Sequence, residues 1–244
     1  MDLQVRMSPA GDQGILVNFG NEISVQINRR IRNFIKKIED EHIKGVNEVI
    51  PSYTSLLVLY DRHVISYRKL ERRLEKLVYA GQEVGVGKAT CYIIPVCYQE
   101  KYALDIMDVA QINGLSPEEV INIHSGTDYL IYMLGFLPGF VYLGGMDERI
   151  ETPRLSSPRT KIPAGGVGIG GKQTGIYPLE SPGGWRIIGQ TPIKVYDPNR
   201  TPSIIYQMGD YIRFKSIDEY EYNFLIEEAK KGLSHVETCE IESR

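Results

Sequence analysis

The segment from His124 to Trp185 concentrates the residues that could bind and activate a small ligand. Its glycines and prolines bend the chain sharply, which places backbone amides beside aromatic side chains. Arg154, Arg159 and Lys161 lie on proline-stiffened loops within eight residues, and such cations suit carboxylates and phosphates. Because ligand pockets combine apolar walls with a few fixed polar groups, we predict a site for a small anionic or amide-bearing ligand.

His124 is the residue of this segment best suited to move a proton, because the pKa of a free histidine is about 6.5. The alternative role is a cap at a helix end, where a histidine interacts with the helix dipole. No cysteine lies in a C-x-x-C arrangement or near a metal-type histidine pair. We therefore predict no metal site.

The glycine-rich run from Gly165 to Gln173 resembles two nucleotide-binding motifs. Its glycine spacing fits a dinucleotide fingerprint, and it fits a P-loop up to Gln173, where that motif needs serine or threonine. Both motifs require a helix after the glycines, and the residues that follow, Thr174 to Pro178, are poor helix starters. We exclude both motifs, although the backbone amides of the run could still bind an anion.

Residues 1–87 alternate strand and helix patterns. Strands are predicted at Leu3–Met7, Ile15–Phe19, Val46–Ile50 and Ser55–Tyr60, and amphipathic helices at Ser24–Glu41 and Ser66–Tyr79. The order is β-β-α-β-β-α, or β-α-β-β-α-β if an edge strand is counted differently, and either suggests an α+β ferredoxin-like sandwich. Because Gly81–Lys88 has the composition of a flexible joint, we place one domain at 1–87 and a second at 88–244.

The second domain is predicted to be mainly β, as a barrel or sandwich of short strands separated by glycine and proline. Two short helices resemble a helix-turn-helix, but Glu118 and Glu119 would face the DNA phosphates, so a structural helix pair is favoured. Ser116 and Glu119 predict a capping box at the start of the second of these helices. The last dozen or so residues are expected to be loose. The predicted strands are Thr90–Tyr98, Tyr129–Leu134, Arg186–Ile188, Ile193–Tyr196 and Tyr211–Phe214, and the predicted helices are Leu104–Asn113, Ser116–Ser125 and Asp218–Lys231.

Composition excludes several classes of function. The net charge of −3 provides no global basic field, so nucleic acid is not an expected partner. Neither a signal peptide nor a stretch of ~20 apolar residues occurs, which predicts a cytoplasmic protein with no membrane association. The three cysteines, Cys91, Cys97 and Cys239, are expected to be reduced thiols packed in the core.

These motifs together resemble the KipI family, also called PxpB or allophanate hydrolase subunit 1, which comprises the B-type subunits of 5-oxoprolinases. The resemblance runs nearly from end to end of the chain, and so many motifs in one order are specific for the family. Its motifs are Gly11 to Gln13, Leu16-Val17, Pro51 to Val58, His124, Gly135 to Leu143, Pro153-Arg154, Pro158-Arg159, Ile162 to Gly165, Gln173 to Pro178 and Ser181 to Trp185.

The resemblance implies an α+β N-terminal domain followed by a cyclophilin-like β-barrel, similar to one half of the carboxyltransferase domain of urea carboxylase. It also implies two partners, a KipA-like subunit of the C type and a lactam-hydrolase subunit of the A type. The three proteins would form an ATP-dependent hydrolase that opens 5-oxoproline to glutamate. ATP with Mg²⁺ is expected at the level of the complex, since this chain has no recognisable nucleotide motif, and the chain is expected to be inactive alone.

The resemblance and the motifs together suggest a role for each residue of the predicted site. His124, Arg159 and Lys161 are the expected catalytic residues, with His124 moving a proton or orienting the substrate. Backbone amides around Gly139 and Phe140 would stabilise an oxyanion. The two arginines and the lysine would hold a carboxylate or phosphate, Gln173 and Thr174 would read the amide, and Tyr177 and Trp185 would form a wall. The expected substrate-binding residues are Phe136, Pro138, Gly139, Phe140, Arg154, Gln173, Thr174, Tyr177 and Trp185.

Three alternatives remain open at this point. The glycines and prolines could be no more than the tight corners of a small barrel. A family member from spore-forming bacteria inhibits a sensor histidine kinase, so this chain could be a kinase-binding inhibitor. The relation to urea carboxylase also allows half of a carboxyltransferase, which would require a biotin-carrying partner.

Overall fold

The structure is a computed structural model that describes residues 5–80, 87–233 and 236–242. Contacts divide the chain after Gly87 into two compact units, which are described separately. Most of the predicted joint at Gly81–Lys88 and the first two residues of the predicted strand Leu3–Met7 lie outside the described residues. The assignment of the two units to independent domains stays a prediction.

The N-terminal unit is a four-stranded antiparallel sheet with two helices, in the predicted order β-β-α-β-β-α. The strands follow one another across the sheet in the order β1-β2-β4-β3. The first helix begins at a Ser24 cap, whose hydroxyl accepts the Ile27 amide, and its apolar stripe is buried. The elements are β1 (Arg6–Pro9), β2 (Gly14–Asn18), α1 (Val25–Glu41), β3 (Val46–Pro51), β4 (Ser55–Tyr60) and α2 (Tyr67–Tyr79).

The C-terminal unit contains an eight-stranded sheet, a separate two-stranded sheet and three helices among the described residues. A one-turn 3₁₀ helix lies at Glu148–Ile150. The other elements are β5 (Lys88–Cys97), α3 (Ile106–Asn113), α4 (Pro117–Ser125), β6 (Asp128–Leu134), β7 (Val141–Gly144), β8 (Arg159–Ile162), β9 (Gly166–Gly170), β10 (Gln173–Ile176), β11 (Ser181–Gly183), β12 (Arg186–Gln190), β13 (Tyr211–Ile217), α5 (Glu219–Lys230) and β14 (Glu237–Glu242).

The eight-stranded sheet curls into a nearly closed barrel. Its strands follow the order β10-β9-β12-β5-β13-β6-β7, and β14 pairs with β5 beside this path. The two end strands, β7 and β10, come so close that a Cβ on Gly175 would lie 2.6 Å from the Val141 carbonyl oxygen. Glycine at this position lets the barrel walls meet. The mixed α/β fold with a barrel-like sheet agrees with the predicted class.

The helix pair α3 and α4 belongs to the core of the C-terminal unit. Ser116 and Glu119 form the predicted capping box, in which each side chain accepts the other residue's amide, and Gly114 ends α3 in the left-handed region at φ 66°. Val109 and Val120 are fully buried in the barrel core. These contacts favour the structural interpretation of the pair over DNA binding.

Three sequence expectations are wrong in detail. The segment Ile193–Tyr196 is not a regular strand: it has one isolated bridge, between Tyr196 and Ile204, and Arg200 donates to the carbonyls of Lys194 and Val195. The tail is not loose throughout, since Glu237–Glu242 forms β14 on β5. Cys239 on that strand is exposed and not packed in the core, whereas the other two thiols are buried.

Within the described ranges, no helix has the length and apolar character needed to cross a bilayer.

Candidate functional site

Four aromatic side chains from three segments meet in one cluster, which is separate from the main core of the barrel. Phe140 lies at its centre, with ring centroids 5.1 Å from Tyr142, 5.3 Å from Tyr177 and 5.4 Å from Trp185. The rings meet edge to face or tilted, which is the favoured geometry for aromatic pairs. Ile162 and Ile187 complete this buried group. We call these six residues the aromatic cluster.

The aromatic cluster packs against the glycine-rich run. Gly166, Gly168 and Gly170 are alternate residues of β9, so a side chain at any of the three would point to the same face of the sheet. A Cβ on Gly170 would lie 2.5 Å from Trp185 Cδ1, and one on Gly168 would lie 3.3 Å from Trp185 Cβ. The glycines therefore leave room for the indole.

This arrangement changes the interpretation of the run. β9 is paired with β10 on one side and β12 on the other, so its amides belong to sheet ladders. The glycines themselves form β9, and strand β10 follows them where both motifs require a helix, which agrees with the exclusion of a P-loop and of a dinucleotide fingerprint. The suggestion that amides of the run could bind an anion stays a prediction, and this pairing argues against it.

Arg154 is the cation that borders the aromatic cluster. Its guanidinium carbon lies 5.9 Å from the centroid of Trp185, within the range of a cation–π contact. Burial raises the pKa of Tyr177 and of Tyr142, and the positive charge of Arg154 opposes both shifts. Arg154 is exposed, and among the described residues it has no acidic partner within ion-pair distance.

The backbone around Arg154 is held on both sides. Arg186 donates from Nε to the Pro153 carbonyl at 3.0 Å and pairs with Asp108 at 2.8 Å. The Leu155 amide donates to the Gly184 carbonyl at 2.8 Å, beside Trp185. Arg154 thus projects from a fixed backbone, while its own guanidinium stays exposed.

The other two predicted cations are engaged elsewhere. Arg159 forms a two-pronged ion pair with Asp105, with N–O distances of 2.6 and 2.8 Å, and Asp105 also accepts the Ile187 amide at 2.6 Å. This pairing raises the pKa of Arg159, first through the hydrogen bond to Asp105. Lys161 pairs with Glu180 at 2.9 Å on the surface. The catalytic roles expected for both residues stay predictions, and their ion pairs argue against direct substrate contact.

His124 lies inside the barrel, fully buried at the end of α4. Its ring stacks on Phe214 with centroids 4.5 Å apart. Thr174 donates its only hydroxyl proton to the Gly168 carbonyl, so it must accept from Nε2 of His124 at 2.8 Å. Nδ1 then accepts from the Tyr98 hydroxyl, also at 2.8 Å. The geometry assigns a neutral imidazole with its proton on Nε2.

Burial also lowers the pKa of His124, to about 3. A group that stays neutral at physiological pH and has both nitrogens bonded inside the core is poorly placed to transfer protons. The same bonds keep the Thr174 hydroxyl away from solvent. The roles expected for His124 in proton transfer and for Thr174 in amide recognition stay predictions, and this burial argues against both.

The loop Gly135–Phe140 leaves one aromatic residue exposed beside the cluster, since the ring of Phe136 meets that of Phe140 edge to face with centroids 5.5 Å apart. Phe136 is 66% exposed, and its backbone has φ 68°, which costs a non-glycine residue about 1 kcal/mol. The loop is closed by hydrogen bonds from the Gly135 amide to the Phe140 carbonyl and from the Phe140 amide to the Leu137 carbonyl. The oxyanion hole expected around Gly139 and Phe140 stays a prediction, and this use of the Phe140 amide argues against a part for it.

Gly139 and Pro138 belong to the same loop. The Tyr206 hydroxyl donates to the Gly139 carbonyl at 2.7 Å, and a Cβ on Gly139 would lie 2.8 Å from Tyr196 Cβ. Gln173 begins β10 and is half-buried. The structure therefore gathers Phe136, Phe140, Arg154, Tyr177 and Trp185 around one cluster and separates His124 and Thr174 from it.

The comparisons identify the family. The family described as the carboxyltransferase domain, subdomain C and D, matches residues 5–206. The chain belongs to this family. It is 40% identical over 241 residues to the B-type 5-oxoprolinase subunit of Bacillus subtilis, covering 94% of this chain and all of that protein. It is 37% identical over 206 residues to the Haemophilus influenzae protein of the same name, covering 84% of this chain and 95% of that one.

Solved structures of similar proteins support the fold. A conserved uncharacterized protein from Pyrococcus horikoshii is 50% identical, with a TM-score of 0.53, and covers 89% of this chain and all of that chain. Urea carboxylase of Kluyveromyces lactis has a TM-score of 0.81 at 23% identity and covers 99% of this chain. The chain spans only 24% of that enzyme, so this likeness concerns the fold alone.

The glycine run provides no phosphate cradle, and no group of three or more metal-ligating side chains occurs within the described ranges. Two surface cavities of about 490 and 580 Å³ lie along α2 in the N-terminal unit, and no predicted site residue lines either one.

Three functional neighbours were missed from the sequence. Tyr142 follows Phe140 by two residues and contacts it in the cluster, a spacing that could have indicated a shared face of β7. Asp105 and Arg186 hold Arg159 and the Arg154 backbone across long sequence separations. No local pattern identifies such partners.

Proposed function

We propose that this chain is the B-type subunit of an ATP-dependent 5-oxoprolinase, a hydrolase that opens 5-oxoproline to glutamate. The proposal is supported by relatives of that name in three bacteria, at 35–40% identity and with at least 92% of each relative covered. The kinase-inhibitor and carboxyltransferase alternatives are not favoured, since the urea carboxylase likeness rests on 23% identity and a quarter of that enzyme.

Arg154 carries the proposed binding site. It is an exposed guanidinium on a fixed backbone, it borders the aromatic cluster, and it lacks an acidic partner among the described residues. Arg159 and Lys161 are both neutralised by carboxylates. The substrate carboxylate would therefore bind Arg154, because a guanidinium can pair with a carboxylate through two parallel hydrogen bonds.

The aromatic cluster supplies the apolar part of the proposed site. The lactam ring would lie against Tyr142, the partly exposed ring of the cluster, and Phe136 would close over it from the loop, while the buried Trp185 and Tyr177 would support this surface from behind. Arg159 would act as a positioning residue, since its pair with Asp105 ties β8 to the start of α3. Proton transfer would then fall to a group outside this chain, because His124 is neutral and buried.

The proposal includes partners. A KipA-like protein of the C type would cover the exposed Phe136 and Arg154, and a lactam-hydrolase protein of the A type would complete the enzyme. ATP with Mg²⁺ would act at the level of the complex. A ferredoxin-like first domain, a cyclophilin-like barrel and a cytoplasmic location complete the proposal.

The test is co-expression of this chain with the KipA-like and lactam-hydrolase partners, followed by measurement of glutamate formed from 5-oxoproline and ATP. The complete complex should produce glutamate, and each preparation lacking one of the three proteins should produce none above background. Turnover by this chain alone would contradict the shared site. A complex that assembles and yet never converts 5-oxoproline would contradict the proposed function.

A further inference from the structure

Two of the three cysteines face each other across neighbouring strands. Cys239 of β14 lies directly opposite Cys91 of β5 in the antiparallel register. Residues opposite each other in such a pair have α-carbons about 4.5 or 5.5 Å apart, and disulfides span about 4.4–6.8 Å. The backbone is therefore already at disulfide distance.

The side chains agree with the backbone. Directly opposed residues of an antiparallel pair project their side chains on the same face of the sheet, so the two thiols lie beside each other. Cys97, at the other end of β5, lies opposite Gln190 and Ile217, so it has no cysteine beside it in the ladders. Of the three thiols, only Cys91 and Cys239 are placed to form a disulfide with each other.

The two thiols differ in access to solvent. Cys239 is exposed, whereas Cys91 is fully buried. Burial raises the pKa of the Cys91 thiol to about 12, so a small oxidant would react first with Cys239. Cys91 is then the thiol that lies in place to complete the exchange.

We propose that Cys91 and Cys239 are a modification site, at which a low-molecular-weight disulfide such as oxidised glutathione forms an intramolecular disulfide. The Cys239 thiolate attacks one sulfur of glutathione disulfide and releases one reduced glutathione, which leaves a mixed disulfide. The Cys91 sulfur then attacks the Cys239 sulfur, the bond between Cys239 and glutathione breaks, and the departing glutathione thiolate takes up the Cys91 proton. Two protein thiols are oxidised, and one glutathione disulfide is reduced to two thiols.

The disulfide would fix the C-terminal strand. β14 is mostly exposed and is held to the unit by its ladder to β5. A covalent link at Cys239 would prevent this strand from separating, and it would close a loop of nearly the whole C-terminal unit. The site is separate from the aromatic cluster in the fold, so this inference does not depend on the proposed function.

The experiment uses the folded, reduced full-length chain, incubated for hours with oxidised glutathione and then alkylated and analysed by mass spectrometry. Before alkylation, the intact chain should lose the mass of two hydrogen atoms. Titratable thiols should fall from three to one, and digestion should give a linked peptide pair containing Cys91 and Cys239. Thermal unfolding should shift upward by several degrees on oxidation.

Two variants provide matched controls. Cys239→Ser changes an exposed side chain and should lose both the linked peptide and the thermal shift, while Cys97→Ser should keep both. A stable glutathione adduct at Cys239, a disulfide-linked dimer, or three free thiols after incubation would each overturn the proposal. Peptide mapping of the unmutated chain decides the outcome even where a variant folds poorly.

Discussion

Replacing Gly170 with alanine should displace Trp185 from its place in the aromatic cluster. The new Cβ would lie 2.5 Å from both Cδ1 and Nε1 of the indole, closer than real Cβ atoms approach other atoms. The ring cannot swing aside freely, because Phe140 and Tyr177 contact it and it is only 4% exposed. Overpacking of this kind costs about 1–3 kcal/mol.

The expected cost can be converted into a melting temperature. For a protein of this size, 1 kcal/mol corresponds to about 2–4 °C, so Gly170→Ala should lower the midpoint by about 3–10 °C. Trp185 is the only tryptophan of the chain, which makes its fluorescence a specific probe of this site. Its emission should move to longer wavelength in the folded variant, since the displaced indole becomes more exposed.

Gly184→Ala is the matched control. Gly184 precedes Trp185 in the sequence, does not have a positive φ, and would place its Cβ no closer than 3.7 Å to another heavy atom. That is ordinary van der Waals contact, so the control should stay within about 0.5 kcal/mol of the parent. If Gly170→Ala matched this control in both midpoint and emission, the idea that the glycine run exists to seat the indole would be refuted.

Three further changes test the rest of the site. His124→Gln should flatten the pH dependence of stability. The pKa of His124 falls from 6.5 to about 3 on folding, so between these values only the unfolded chain gains a proton. The free energy of unfolding of the parent, measured in urea titrations, should therefore fall by about 2 kcal/mol between pH 7 and 5. Equal slopes in parent and variant would contradict the buried neutral imidazole. Asp105→Ala should destabilise the fold by about 3–5 kcal/mol in denaturant titrations, because it leaves the partly buried Arg159 unpaired. A loss of less than about 1 kcal/mol would show that the ion pair contributes little to stability. Lys161→Gln should change stability by less than about 0.5 kcal/mol, since its pair with Glu180 is exposed, and a larger loss in the same titrations would give that pair a role the structure does not indicate.

The sequence predicts those parts of the fold that depend on residues close together in the chain. The capping box at Ser116 predicts the start of α4, and apolar periodicity predicts α1 and α2. All three helices begin within a residue or two of the predicted starts. Strand order, by contrast, depends on pairings far apart in sequence. β14 was missed because its residues are nearly all exposed, so burial leaves no alternating apolar pattern to read.

The site illustrates the same limit. Motif composition placed Arg154 and Trp185 in one site, and the structure brings them to 5.9 Å. It could not show that Arg159 is neutralised, because Asp105 lies 54 residues away. It also could not separate a surface histidine from a buried one, since the partners of His124 come from β10 and from the residue after β5. Long-range partners decide which charged groups are available.

The most direct test of the account compares Arg154→Gln with Lys161→Gln in the assembled complex of this chain with its KipA-like and lactam-hydrolase partners. Loss of the guanidinium removes a charge-assisted contact of about 1.5–3 kcal/mol, so the KM for 5-oxoproline should rise about 10- to 100-fold in Arg154→Gln. Lys161→Gln should keep the KM of the parent within about twofold, because that lysine already pairs with Glu180. An unchanged KM in Arg154→Gln, in a complex that assembles normally, would contradict the central claim that Arg154 anchors the substrate.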